Sequence, residues 1–131
     1  MHPFRQAVER ADLAAVADLL DDDIVFHSPV AFKPYEGKQL VGGILAAVFT
    51  VFQDFTYVRE IGAEDASDHA LVFTARVGDK QLEGVDFVHT NDAGKIDRFT
   101  VMVRPLSAAQ ALAEEMSVKF AELQAAMQEA S

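Results

Sequence analysis

Apolar residues recur at helical spacing from the start of the chain. Phe4, Val8 and Ala11 follow Pro3, whose missing N–H is harmless in a first helical turn. Asp12 then stands as the N-cap of a second segment, "DLAAVADLL", in which Leu13, Val16, Leu19 and Leu20 form an apolar stripe. The two segments together predict one broken helix. The acidic run at 21–23 reads as a solvated turn, because charge runs face water. "DIVFHS" follows as a short strand that Pro29 ends, and "PVAFKPYEG", with its prolines and glycine, reads as a loop. "KQLVGGILAAVFTVF" is apolar nearly all round, the pattern of a helix buried on most sides. Gly42 and Gly43 lower its helix propensity and are expected where another element comes close.

From Asp54 the period changes to two. "FTYVREIGAE", "HALVFTARVG", "KQLEGVDFVHT" and "KIDRFTVMVR" predict four strands, separated by the turn clusters "EDASD", "GD" and "NDAG". Short connections imply an antiparallel meander, closed by Pro105. Ser107, with Gln110 three residues on, has the pattern of a capping box. It opens a last helix whose face is traced by Leu112, Met116, Phe120, Leu123 and Met127. That stripe could pack on its own sheet or on a partner. Helices gathered on one side of an antiparallel sheet make an α+β layer architecture.

Composition narrows the roles open to such a domain. Half of the 131 residues are apolar, enough for a substantial single core. Eleven Lys and Arg against 21 Asp and Glu give a net charge of −10, which repels phosphate backbones and anionic membranes. Nucleic-acid and membrane partners are therefore not expected. The chain has no cysteine, so disulfides and thiol chemistry are excluded. The N-terminal stretch lacks the charged and apolar regions of a secretory signal, and "LVGGILAAVFTVF" is too short to span a bilayer. A cytoplasmic protein is the expectation. His2, His27, His69 and His89 show no metal-ligand spacing, and no phosphate-binding glycine loop or nucleophile elbow is present. Neither a metal nor another cofactor is expected.

Three strings, "ADLAAVADLLDDDIVFHSPV", "YEGKQLVGGI" and "EGVDFVHTNDAGKIDRFTVMV", resemble in order and spacing the SnoaL-like group of the nuclear transport factor 2-like superfamily. Ketosteroid isomerases, polyketide cyclases and limonene epoxide hydrolases share the fold that this resemblance implies. The resemblance covers residues 3–106 and leaves 107–131 as a helical extension of a single domain spanning 1–131. It implies a curved antiparallel sheet forming a cone, with helices packed over the concave face and an apolar pocket inside. It also implies a homodimer built through the outer face of the sheet. Measured against the ketosteroid isomerases, the proton-carrying Asp position falls at Ser28 and the oxyanion-stabilising Tyr at Phe4. The second oxyanion donor, a protonated Asp, falls at Asp86. Two of three are changed, and neither serine nor phenylalanine can do the missing work, so isomerisation by that mechanism is not expected.

Asp86 is the candidate that persists. If Asn91–Gly94 closes a tight hairpin, Asp86 lies opposite Phe99, and Leu82, Asp86, Val88, Phe99, Val101 and Val103 share one face. Val85, Phe87, Arg98, Thr100, Met102 and Arg104 share the other, a mixed apolar and cationic surface suited to a dimer. The resemblance assigns the Asp86 face to the cone's interior, where desolvation would raise its pKa and make it a donor to a ligand oxygen. The alternative is structural: an arginine pair, or a brace for the backbone near Gly84.

Lesser candidates surround it. His27 alternates away from the interior but, at a strand end, could reach the rim as a proton shuttle or bond the neighbouring loop. Tyr35 could offer its hydroxyl to a ligand at the cone mouth or merely pack there. Ser28, Phe26, Phe49, Phe99, Val101 and Arg59 are the candidate ligand-lining residues. Three functions stay open: an acid–base enzyme acting on a small apolar molecule, a non-catalytic binder, and a dimerisation module with a filled cone.

Overall fold

A computed structural model gives the backbone of residues 1–130 and the side chains through Ala126. Met127, placed by its spacing on the last helix's apolar face, lies outside the described side chains. The helical start is broken as expected, into α1 (Pro3–Glu9) and α2 (Leu13–Asp18). Asp12 Oδ1 accepts the Ala15 N–H at 3.0 Å and caps α2, while Ala11 turns the chain at a φ of 55°. His2 caps α1, its Nδ1 accepting the Phe4 N–H at 3.0 Å.

The strands are β1 (Leu20–His27), β2 (Tyr35–Glu36), β3 (Gln53–Ile61), β4 (Asp68–Val77), β5 (Lys80–Thr90) and β6 (Ile96–Arg104). They form one sheet in the order β2-β1-β6-β5-β4-β3, open at both edges. The fold is α+β, with α3 (Lys38–Val51) and α4 (Leu106–Ala130) completing it.

Four details differ from expectation. The sheet is mixed, because β1 runs parallel to β6; α3 carries the chain away from β1, so no hairpin forces that pair antiparallel. The acidic run is no turn: Asp21, Asp22 and Asp23 lie within β1, where the register with β6 shifts between Leu20 and Val25. A bulge leaves these residues outside the ladder, so they keep their water. The expected loop at 29–37 contains β2, paired through Phe26 with Tyr35. Finally, α4 begins at Leu106 and the Pro105 carbonyl accepts the Ala108 and Ala109 N–H groups, so Ser107 sits inside the helix rather than at its cap.

One face of the sheet carries the core. Leu71, Phe73, Leu82, Val88 and Phe99 point into it from β4, β5 and β6 and are almost fully buried. Gly84 explains itself on this face: a Cβ there would overlap the tip of the Phe73 ring at its Cζ. Gly43 is explained too, since an added Cβ would stand 3.1 Å from Leu123 of α4. Gly42 has no comparable neighbour, its nearest atom being Leu20 Cδ1 at 4.0 Å. The open question about the last helix is answered by Ala108 and Leu112, which are buried on α3 and on this chain's own sheet.

Candidate functional site

Alternation along β5 turns Asp86 into the core, between Gly84 and Val88. The hairpin differs from the tight turn expected. Asn91 N–H bonds the Lys95 carbonyl, and a register shift follows at Thr90, so Asp86 lies opposite Val101 and Val88 opposite Phe99. A displacement of two residues changes the partner but not the face. The inward set and the outward set are therefore those the pattern predicted.

The carboxyl is 5% exposed and sits beside a cavity of about 50 Å³. Of the side chains that line this space, only Asp86 and Ser28 are polar. Phe26, Phe49, Phe99 and Val101, expected as ligand-lining residues, all contribute to the wall. So does Phe4. The three positions compared with the ketosteroid isomerases, Phe4, Ser28 and Asp86, thus meet around one space.

The partner of Asp86 is a residue the pattern did not single out. Tyr57 donates its hydroxyl to Asp86 Oδ2 at 2.9 Å, both groups being buried. A usable signal existed: Tyr57 alternates with Phe55 on the apolar face of its strand, and a buried acid needs a donor. Burial pushes the Asp86 carboxyl from 3.8 up to about 7, and the Tyr57 hydrogen bond holds it from going higher. Burial, and next the Asp86 charge, push the Tyr57 phenol well above its ordinary 10.0, so it remains a donor. At neutral pH the carboxyl is accordingly poised between its two protonation states.

The other candidates lie elsewhere. Arg59 is exposed on the opposite face, because the β3–β4 register shifts between Tyr57 and Arg59 and turns the later residues over. It does not line the cavity. His27 stands opposite Thr100 at the end of β1, half-buried and away from the cavity wall. Tyr35 lines a separate outer groove and packs on Phe26 and Phe120, with ring centroids 6.4 and 5.4 Å away. Ser28 reaches the cavity, but its Oγ also accepts the Ala31 N–H at 3.0 Å and the Val30 N–H at 3.3 Å, bracing the loop. Among the described residues no group of three or more His, Asp and Glu is placed to hold a metal ion.

The arrangement defines a class: an NTF2-like, or cystatin-like, α+β domain with an apolar interior and one buried acid. More narrowly, the sequence profile of the SnoaL-like domain matches residues 2–99, and the chain belongs to that family. It is similar to a steroid delta-isomerase from Pseudomonas aeruginosa, at 44% identity and a TM-score of 0.86 over 93% of this chain and 89% of that one. It is also similar to an uncharacterised bacterial protein with a cystatin-like fold from Silicibacter pomeroyi. That pair shares 32% identity and a TM-score of 0.84, over 91% of this chain and 86% of the other. An NTF2-like protein of unknown function from Mesorhizobium loti shares the fold, with 18% identity and a TM-score of 0.67 over 78% and 85% of the two chains. No curated protein matches. Among the described residues no helix is long and apolar enough to cross a membrane.

Proposed function

We propose that the chain binds a small, neutral, largely apolar molecule bearing a carbonyl oxygen, with Asp86 as the hydrogen-bond and proton donor to that oxygen. The observation that carries this reading is a buried carboxyl, its pKa raised by desolvation, lining a cavity whose other side chains are apolar apart from Ser28. A group so placed can donate when protonated and accept when ionised, in surroundings that strengthen either bond. Tyr57 occupies Oδ2, which leaves Oδ1 for the ligand.

Asp86 is the only ionisable side chain in the cavity wall, so proton movement there runs through one group. Chemistry of the isomerase, cyclase or hydrolase type would need this carboxyl to take a proton and return it. The likeness to a steroid delta-isomerase supports a carbonyl ligand, while Ser28 and Phe4 argue against the division of labour expected of the ketosteroid isomerases. The second reading, a binder without turnover, is favoured by the absence of another acid or base in the wall.

Turnover of enones, lactones and epoxides by wild type and Asp86→Asn separates these readings. Loss of turnover in the variant supports catalysis through Asp86, and binding of apolar ketones without turnover supports the binder. Failure of every such compound to bind would end both.

A further inference from the structure

The cavity beside Asp86 has room for only a few water molecules, far below the roughly 300 Å³ that small-molecule sites begin at. Something in its wall must therefore yield. Two outer grooves abut it. One, about 310 Å³, lies between α4 and Tyr35 and shares Ser28, Ile44 and Met116 with the cavity. The other, about 600 Å³, lies between α1–α2 and β3 and shares Phe49 and Phe55.

These two walls differ in what holds them. Phe55 is packed among four rings, those of Phe49, Phe52, Tyr57 and Phe73, at centroid distances of 6.0, 5.6, 5.0 and 4.6 Å. Displacing it disturbs the whole cluster. On the other side Ser28 is tied by its loop hydrogen bonds and Ile44 is buried on α3. Met116 is an unbranched side chain with three rotatable bonds, the kind that repacks at least cost. The helix beneath it is pinned one and two turns on, Phe120 against Tyr35 and Leu123 against Gly43, so the side chain can turn while α4 stays.

We propose that Met116 is the gate between the Asp86 cavity and the groove beside α4, and that this groove is a second binding subsite for the outer end of the same ligand. The inference rests on the Asp86 reading above for the inner end. The groove adds Tyr35, Ser117 and Gln124, which are neutral hydrogen-bonding side chains, and no charged one. The ligand that fits both ends is an elongated, uncharged, apolar body with a carbonyl at one tip and a hydroxyl or similar neutral polar group at the other.

The test uses two neutral fluorescent ketones, acetylnaphthalene and its analogue hydroxylated at the far end, followed by stopped-flow at about pH 6, where Asp86 is mostly protonated. Met116→Ala should raise the association rate constant of either by roughly fivefold or more, and the stiffer Met116→Leu should lower it. Leu13→Ala, in the other groove and outside the cavity wall, should change it less than about twofold. The hydroxylated ketone should bind wild type about fivefold more tightly than its parent, a preference that Gln124→Leu combined with Tyr35→Phe abolishes. Unchanged rates in both Met116 variants, or faster entry in Leu13→Ala, overturn the gate. An equal affinity for the two ketones overturns the subsite. In either case Asp86→Leu, which removes the donor, still weakens ketone binding if the inner site is right; no binding to any variant overturns both.

Discussion

Tyr57 and Asp86 bond across an intervening strand. Tyr57 is on β3 and Asp86 on β5, while their ladder partners on β4 are Phe73 and Leu71. The bond therefore passes over apolar side chains rather than between paired neighbours, and it ties a sheet-edge strand to the central acid. Removing it should be felt by the carboxyl before it is felt by the fold. Tyr57→Phe should raise the Asp86 pKa above about 7, because the lost hydrogen bond favoured the ionised form. Carboxyl carbon chemical shifts followed through a pH titration measure this directly. An unchanged midpoint would show that the bond does not govern the acid.

Asp86 also makes stability depend on pH, with a sign opposite to that of most carboxylates. Its folded pKa lies above the unfolded value of 3.8, so its contribution is complete below that pH and is lost as pH rises through about 7. The shift corresponds to at most about 4 kcal/mol between the acid and alkaline limits. Asp86→Asn, which cannot ionise, should gain on wild type by several kcal/mol in passing from about pH 4 to pH 8. Urea midpoints of the two proteins across that range decide it. Parallel curves would mean the carboxyl is solvated after all.

His2 works in the other direction. Its Nδ1 accepts the Phe4 N–H, and its ring lies 4.9 Å from that of His69, whose Nε2 bonds the Ala63 carbonyl at 2.7 Å. Burial first, then the neighbouring His69, lower the His2 pKa below 6.5; Glu60 opposes them and the terminal ammonium adds to them. A lowered histidine pKa stabilises the fold above the unfolded value and is lost as pH falls through the folded one. In an Asp86→Asn background, the His2 contribution should drop between about pH 7 and pH 5, while His89, its pKa raised by the Asp97 hydrogen bond, pulls the other way. His2→Asn, which can still cap but cannot titrate there, should flatten that drop.

Gly84 admits the Phe73 ring, and Gly84→Ala should cost about 1–3 kcal/mol through overpacking. The companion Gly42→Ala, where the nearest side chain is 4.0 Å away inside a helix, should be neutral or stabilising by up to about 1 kcal/mol. Thermal melts of the pair make a controlled comparison. Equal effects would show that the Phe73 contact does not set the requirement for glycine.

What the sequence made legible follows the range of the physics involved. Element type came from local periodicity, and the inward turn of Asp86 came from parity, which survives any even shift in register. Its partner Val101 did not, because the longer Asn91–Lys95 turn and the shift at Thr90 together move the pairing by two. Arg59 was misplaced by the shift after Tyr57, which moves a side chain by one face and leaves no trace in a stretch where Val58 and Ile61 are themselves apolar and exposed. The parallel pairing of β1 with β6 joins segments some seventy residues apart, and no local pattern encodes it. Tyr57 was missed for the same reason: its partner is distant in the chain, and only the need of a buried acid for a donor pointed to it.

The outer face of the sheet supports the remaining prediction, that two copies pair through it. Phe87 and Met102 are 43% and 57% exposed there, beside exposed Ile61, with Arg59 and Arg104 at hand. An apolar centre with two arginines beside it, on a chain of net charge −10, offers a second copy a contact that is not acidic. Arg104 Nη1 already lies 3.6 Å from Glu83, so part of that charge is balanced within the chain. We expect a dimer at micromolar concentration by light scattering, and Phe87→Glu should convert it to a monomer with an unchanged circular dichroism spectrum. Phe87 points away from the cavity, so ketone binding at Asp86 should persist in that monomer. A wild-type monomer would leave this face without a second copy, and loss of binding in a folded Phe87→Glu monomer would mean that pairing shapes the site.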